Sequence, residues 1–247
     1  MKFAILDNKR IEAKPNLIAE CPNCGNPVKS YCGEQIIHHW KHIKLSDCDN
    51  WYEPETKWHR DWKNHFNINS QEVIKYDSQT NEKHIADIYN EKKNVVLEFQ
   101  HSPVKIQEIK SREVFYDRMI WVVDLIRFKK NIIFIKNRVD ITNELNNARL
   151  KNNDYVIKQP DFNSFQIEQE KHIKFMRNSK NWIELTSNKD HFFIKWKYRQ
   201  KRWFTNSKVT FFDLGDNYIY RLVTAIEIGG FCILKRYSKS KFISHYK

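Results

Sequence analysis

The sequence predicts an α/β protein of the α+β type, whose central part runs in the order helix, three strands, helix, strand. Three observations predict this class. Aromatic residues one turn apart near residue 60 indicate an amphipathic helix, and short runs rich in Val, Ile and Tyr between residues 72 and 124 indicate strands. Four cysteines lie within 28 residues near the N-terminus, which favours a small metal module over a disulfide framework. Aromatic and polar residues alternate at the C-terminus, which indicates a small antiparallel β subdomain.

Length and composition define the parts of the chain. It has 247 residues, of which 40% are apolar and 30% charged, so it can bury a core and wholesale disorder is excluded. We expect a cysteine-rich module at 1–50, the core at 51–140, a polar connecting segment with some helix at 141–188 and a basic, aromatic β subdomain at 189–247. No apolar stretch approaches the roughly 18 residues of a membrane span and no signal peptide is visible. The expected location is therefore the cytoplasm, without a membrane partner.

The net charge of +13 has two explanations. It indicates an acidic partner such as a nucleic acid, or it reflects the lysine-rich composition of an AT-rich coding sequence. Residues 189–247 hold 13 basic and 4 acidic residues, a local excess that composition alone does not predict. The candidate phosphate contacts there are Lys195, Lys197, Arg199, Lys201 and Arg202. A strand with one aromatic core face and one solvated basic face would give the same pattern.

The N-terminal cysteines have the spacing of a zinc site. In Cys21-Pro-Asn-Cys24-Gly25 the two-residue gap lets both thiolates face one ion, and the glycine permits a tight turn. His39-Trp-Lys-His42 would complete a tetrahedral set of N and S ligands. The predicted ligands of this structural Zn²⁺ are Cys21, Cys24, His39 and His42. Further candidates are Cys32, His38 and Cys48. A folded module without metal is the alternative.

The core elements follow from periodicity. A helix is expected over 55–66. Its apolar stripe consists of Trp58, Trp62 and Phe66, and the neighbouring stripe consists of Glu55, His59 and Lys63. Strands are expected at 72–77, 84–89, 94–100, 119–124 and 131–136, with a polar turn at 90–94. A second helix, capped by Ser102-Pro103, is expected to run to about residue 118.

Two carboxylates fall at the centre of this arrangement. Asp87 lies in the second strand and Glu98 in the third, across a hairpin. Glu98 and Gln100 are two residues apart, so their side chains share one face. An acid inside the apolar run 95–99 is costly to bury unless it is paired or binds a metal. Because Mg²⁺ prefers hard oxygen ligands, these acids together with Glu55 predict a divalent-cation site.

Several separate motifs occur in one order along roughly residues 18–125. They are Cys21-Pro-Asn-Cys24, His39-Trp-Lys-His42, Asp47-Cys-Asp-Asn-Trp-Tyr-Glu-Pro-Glu55, Trp58-His59, Trp62-Lys63, His84-Ile-Ala-Asp87, Glu98-Phe-Gln-His-Ser102 and Ser111-Arg112-Glu-Val-Phe-Tyr116. In this order they resemble the competence CoiA-like family. That family belongs to the restriction-endonuclease-like superfamily, whose PD-(D/E)XK pattern is an Asp, then Glu-x-Lys, with a Glu from the first helix.

The resemblance implies a metal-dependent DNA nuclease with a zinc-finger-like N-terminus, linked to DNA uptake, recombination, mobile elements or antiphage defence. Asp87 and Glu98 would bind Mg²⁺ or Mn²⁺, with the backbone carbonyl of Phe99 as a further ligand. Glu55 would complete the metal site or act as a base. The residues that would hold the phosphate are His59, Lys63 and Arg112. Arg112 and Tyr116 lie one turn apart on the second helix, and the family pattern places them facing the site.

One position departs from the superfamily pattern. Gln100 stands where a catalytic Lys is usual, and an amide can orient water but carries no charge to stabilise the phosphorane. The CoiA-like family itself has Gln there, and Lys63 is either a relocated cation or a solvated helix lysine. Two other functions therefore stay open. One is a non-catalytic DNA-binding recombination accessory protein that keeps the nuclease fold. The other is a subunit of a defence or mobile-element complex that docks protein partners through the C-terminal region.

Overall fold

The computed structural model describes residues 1–44, 48–49, 51, 55–135, 190–197, 208–226 and 231–247. The chain forms two compact units. The first comprises Met1–Asp124, Asn206–Phe211 and Lys239–Lys247, and the second comprises Leu125–Thr205 and Phe212–Ser238. The expected 1–50 module therefore shares a unit with most of the expected core. The expected connecting segment at 141–188 lies outside the described residues.

The first unit begins with a five-stranded antiparallel sheet, here named the N-terminal sheet. Its strands are β1 (Phe3–Leu6), β2 (Lys9–Glu12), β3 (Ile18–Glu20), β4 (Pro27–Gly33) and β5 (Ile36–His42). They lie in the order β2-β1-β3-β4-β5. One face is buried through Ala4, Val28 and Trp40, each with none of its surface exposed, so this sheet has an apolar cluster of its own.

The rest of the first unit follows the predicted order helix, three strands, helix, strand, and the α+β class is confirmed. The elements are α1 (Lys57–Asn64), β6 (Gln71–Tyr76), β7 (Lys83–Asn90), β8 (Val95–Gln100), α2 (Ile106–Tyr116) and β9 (Met119–Asp124). The strands β6, β7 and β8 pair antiparallel, and β8 pairs with β9 in parallel. A parallel pair needs a crossover, which α2 supplies. Every residue of β8 and β9 is buried, as expected for strands covered on both faces.

Neither helix begins at the residue that the sequence predicts, and the two helices have different N-terminal caps. Thr56 caps α1, since its hydroxyl accepts a hydrogen bond from the backbone N–H of His59. For α2 the predicted cap at Ser102-Pro103 is wrong, because the helix begins at Ile106 with Lys105 in the cap position. The Ser102 carbonyl instead accepts a hydrogen bond from the side-chain amide of Gln100, and Ser102 lies outside the helix.

The second unit contains the C-terminal antiparallel strands. They are β10 (Ile132–Ile135), β11 (His191–Trp196), the end of β12 (Val209–Asp213), β13 (Tyr218–Ile226) and β14 (Phe231–Ser238). The order is β10-β11-β14-β13, with antiparallel neighbours. A last helix, α3 (Lys239–Tyr246), belongs to the first unit, where Phe242 contacts Trp62 edge to face. In the part of the chain that is described, no helix has the length and apolar character needed to cross a membrane.

Glu72 joins the N-terminal sheet to the core. Its carboxylate accepts the backbone N–H of Lys2 at 2.8 and 2.9 Å and that of Phe3 at 3.2 Å. The same carboxylate binds the Lys63 ammonium at 2.9 Å. Burial opposes ionisation of Glu72, but Lys63 outweighs it and lowers the pKa of Glu72 to about 2. The residue keeps this position although its φ of +46° is a backbone conformation that favours glycine.

We expect Glu72→Gln to lower the free energy of unfolding by about 3 kcal/mol at pH 7, because it removes one partner of a buried ion pair. The folded pKa of about 2 is below the ordinary value of 4.5, so the stabilisation is present above pH 4.5 and is lost as the pH falls towards 2. Urea denaturation of wild type and variant should therefore show a difference that shrinks over this range. Glu91→Gln, in an exposed turn, is the control, and equal losses in both variants would contradict the assignment.

Candidate active site and metal centre

A cavity of about 420 Å³ lies in the first unit, between the N-terminal sheet and the core. The N-terminal sheet and the segment that follows it contribute Trp40, Lys41, His42, Ile43, Lys44 and Cys48 to its wall. The core contributes the acids and bases Glu55, His59, Lys63, Glu72, Asp87, Glu98, Arg112 and Tyr116. The cavity thus brings together most of the residues that the sequence predicts for the site.

Asp87 and Glu98 form a reciprocal pair on neighbouring strands. The β7–β8 ladder ends at Ile88 and Leu97, and beyond it the side chains accept the backbone N–H groups. Glu98 Oε1 accepts from the N–H of Asp87 at 3.2 Å, and Asp87 Oδ2 accepts from the N–H of Phe99 at 2.9 Å. Burial and the charge of Asp87 raise the pKa of Glu98 to about 8, although Arg112 opposes this. Two acids are therefore held together by the backbone against their mutual repulsion.

Lys63 is the central cation of the cavity. Its ammonium lies 3.3 Å from Glu55 Oε1, 2.9 Å from Glu72 Oε1 and 3.3 Å from Asp87 Oδ1. Burial favours the neutral amine, but these three carboxylates outweigh it and raise the pKa of Lys63. Glu55 is held further by Arg60, whose guanidinium donates to both carboxylate oxygens at 2.9 and 2.8 Å. The helix lysine singled out from the sequence is thus a buried ion-pair partner rather than a solvated one.

A second cation reaches the acids from α2. Arg112 donates to Glu98 Oε2 at 3.1 Å and to the backbone carbonyl of Trp51 at 2.8 Å. Its ion pair with Glu108, one turn earlier, fixes the guanidinium further. Tyr116 lies one turn after Arg112 in the cavity wall, and burial together with the charge of Glu98 raises the pKa of its hydroxyl. The side chains expected to face the site from this helix do line the cavity.

Three predicted groups make contacts that differ from the expectation: the Phe99 carbonyl, the His59 ring and the Gln100 amide. The Phe99 carbonyl, expected as a metal ligand, accepts a hydrogen bond from His59 Nε2. The other ring nitrogen of His59 lies 3.2 Å from the Thr56 hydroxyl, so this imidazole holds β8 against α1 in place of a phosphate. Gln100 is buried, donates to the Ser102 carbonyl and is not part of the cavity wall. A role for Gln100 in orienting water therefore has no geometric support.

Four side chains that could hold a metal ion form a cluster at the edge of the cavity, and two of them, His42 and Cys48, line it. The four are Cys21, Cys24, His42 and Cys48, and their ligand atoms all lie within 4.8 Å of one another. The two closest pairs are Cys21 Sγ with Cys48 Sγ at 3.5 Å and Cys24 Sγ with His42 Nε2 at 3.3 Å. Gly25, with a φ of +74°, closes the turn between the first two cysteines. Three sulfurs and one imidazole fit the tetrahedral coordination of Zn²⁺.

The cluster corrects one predicted zinc ligand. His39 was expected as the third ligand, but Cys48 takes that place. On a strand, residues three apart point to opposite faces, so His39 and His42 of β5 cannot both reach one ion. The Nδ1 atom of His39 instead lies in hydrogen-bond contact with the Ile37 carbonyl at 2.8 Å, and the His39 ring stacks on the ring of Tyr31. Cys48 was among the further candidates, and the other two, Cys32 and His38, lie outside the cluster.

The thiols of the cluster are poised to bind a cation. A hydrogen bond with Cys48 lowers the pKa of Cys21 to about 5, and the same contact raises the pKa of Cys48. The two sulfurs therefore share a proton that a metal ion would displace, because thiolates are the ligands of Zn²⁺. Among the described residues this is the one group of three or more such side chains that lies so close together. The carboxylates of the cavity are more widely spread.

The segment after Cys48 connects the cluster to the acids. Asp49 Oδ1 lies 3.0 Å from His84 Nδ1, and the ring of Trp51 stacks on His84 with centroids 3.3 Å apart. The Trp51 carbonyl is the one that accepts from Arg112. Sequence reasoning missed both residues, although they lie inside one of the motifs that carry the resemblance. It also missed Glu72, whose only signal was its place at the start of a predicted strand.

The basic residues predicted to bind nucleic acid near the C-terminus are only partly described. Lys195 lies on β11 and is half-buried, while Lys197 directly follows the strand and is exposed. Trp196 between them is buried at 3% exposure, so it supports the core of the second unit. Arg199, Lys201 and Arg202 lie outside the described residues.

No protein-family model matches the chain. Neither the curated proteins nor the solved structures compared with it give a significant match. The function has to be argued from the geometry of the site and from the motifs.

We expect the full chain to bind about one Zn²⁺ through the cysteine cluster. His42→Ala and Cys48→Ala should reduce the zinc content, measured by elemental mass spectrometry after dialysis, to near zero, because each removes a ligand. His39→Ala is the matched control on the same strand and should retain the ion. Loss of zinc from His39→Ala with retention in His42→Ala would contradict this ligand set.

Proposed function

We propose that this protein is a divalent-metal-dependent DNA nuclease that hydrolyses phosphodiester bonds. The observation that carries the proposal is the pair formed by Asp87 and Glu98, two acids fixed side by side by reciprocal backbone hydrogen bonds at a cavity. Glu98 is buried, and keeping its carboxylate ionised beside Asp87 requires cations. Asp87 and Glu98 would bind Mg²⁺ or Mn²⁺, which supplies a water of lowered pKa and neutralises charge on the scissile phosphate.

The chain supplies fixed positive charge around these acids. Lys63 contacts Asp87 and Arg112 contacts Glu98, each from a different helix. Because both cations are buried and held by several partners, they would stabilise the additional negative charge that develops on the phosphodiester in the transition state without reorganising. Glu55 is held by Arg60 and Lys63, so its best-supported role is to position Lys63 rather than to bind the catalytic metal.

The zinc site and the biological role have separate support. The cysteine cluster would hold a structural Zn²⁺, since all four positions are filled by protein ligands and none is left for a substrate. The resemblance to the CoiA-like family and its restriction-endonuclease-like core supports a role in DNA uptake, recombination, mobile elements or antiphage defence. Protein partners in such a complex would be additional to the DNA.

A non-catalytic DNA-binding accessory protein, alone or as a defence-complex subunit, is the second candidate. The observation that favours it is Lys63, which already compensates three carboxylates including Asp87. A cation bound by Asp87 would have to compete with that ammonium. In this second function the ion-pair network would serve only to hold the fold.

We expect Asp87→Asn and Glu98→Gln each to reduce cleavage of labelled single- and double-stranded DNA by about 100-fold or more, because each removes a carboxylate that would hold the catalytic metal. Activity should require added Mg²⁺ or Mn²⁺. Asp61→Asn, an exposed acid paired with Lys57 on α1, is the matched control and should cleave normally.

The two candidate functions give different results in the same assay. Cleavage that survives both substitutions would exclude this site. Salt-dependent DNA binding without any cleavage, unchanged in Asp87→Asn and Glu98→Gln, would select the accessory protein.

A further inference from the structure

The hairpin formed by β4 and β5 carries an exposed aromatic and basic surface. Lys29 lies directly opposite Lys41, and Tyr31 lies directly opposite His39, so all four side chains share one face. The rings of Tyr31 and His39 stack with centroids 5.5 Å apart and planes 16° apart. Tyr31 remains 41% exposed, and the Lys41 ammonium lies 5.9 Å from its ring centroid. We name these four residues the hairpin surface.

This surface has uncompensated positive charge. Two lysines directly opposite each other on paired strands repel, which destabilises a sheet unless an anion lies between them. Among the described residues no carboxylate lies within 4.0 Å of either ammonium. Glu20, the acid on the neighbouring strand β3, pairs in register with Pro27 rather than with a lysine. The charge of the hairpin surface therefore fits an anionic ligand.

The hairpin surface shares one residue with the cavity. Lys41 belongs to both, since it lies on the hairpin and also in the cavity wall. Ile43 and Lys44, directly after β5, line the same cavity as Asp87 and Glu98. Lys41 thus connects the hairpin surface to the cavity that Asp87 and Glu98 line.

We propose that the hairpin surface binds single-stranded nucleic acid, with Tyr31 extending its stack onto a base and with Lys29 and Lys41 contacting the flanking phosphates. Aromatic side chains stack on every base, whereas the bases of a duplex are already stacked on one another. Alternating cations and rings are the arrangement that single-strand-binding surfaces use. The binding itself is independent of catalysis, and only the delivery of the strand to Asp87 and Glu98 rests on the proposed nuclease function.

The test measures fluorescence anisotropy of the full chain with labelled oligothymidylate of about 20 nucleotides, longer than the roughly 4–16 nucleotides that small single-strand-binding folds cover. No Mg²⁺ or Mn²⁺ is added, so cleavage does not enter. Tyr31→Ala should weaken binding about fivefold or more, and Tyr31→Phe, which keeps the ring, should restore it. Lys29→Ala/Lys41→Ala should reduce the slope of log affinity against log salt by roughly 1.4, the value for two lost phosphate contacts.

The matched control is Lys9→Ala/Lys14→Ala, which removes the same charge from β2 and the segment after it. This control should leave the slope near that of wild type.

Oligouridylate and duplex DNA are the other probes. Equal binding of oligouridylate supports a surface for either single strand, and preference for the duplex overturns the proposal. Wild-type affinity in both hairpin variants also overturns it and leaves the nuclease proposal intact. Binding with no cleavage in Mg²⁺ overturns only the nuclease proposal. Failure to bind any probe overturns the proposal for the hairpin surface, and the cleavage assay with metal then tests the nuclease proposal by itself.

Discussion

The contact between Glu72 and Lys63 is the constraint on which the first unit depends. Through Glu72 the core holds the backbone of β1, and through Lys63 the same contact reaches Glu55 and Asp87. One buried carboxylate therefore sets both the docking of the N-terminal sheet and the position of the central cation. Burying so many charges is unfavourable unless each is paired, so the loss of one partner destabilises the others.

The acids proposed for catalysis and the charges that hold the fold belong to the same network. Lys63 contacts Asp87 and also two acids that hold the fold. Arg112 contacts Glu98 and also the Trp51 carbonyl and the Glu108 carboxylate. A change of charge at one position alters the balance at the others, because low dielectric strengthens every contact. Activity and stability have to be measured together for any variant of this cavity.

The parts of this structure that could be predicted from sequence are those with short-range causes. Asp87 and Glu98 meet because one hairpin joins their strands. The burial of Trp62 on the apolar stripe of α1 follows from the spacing of the aromatic residues alone. The role of Glu72 could not be predicted, because its partner Lys2 lies 70 residues away and its backbone has a positive φ. The third zinc ligand was misassigned because spacing does not reveal that His39 and His42 share a strand, where they face apart.

The contacts at the two ends of the short segment from Cys48 to Trp51 fix the number of residues between them. Its first residue belongs to the cysteine cluster and its last residue accepts a hydrogen bond from Arg112, with Asp49 held at His84 between them. Consecutive Cα atoms are about 3.8 Å apart, so one inserted or deleted residue would displace either the sulfur or the carbonyl. This stretch therefore cannot change its length without losing one of these contacts, whereas an exposed turn such as that at Glu91 tolerates insertions and deletions.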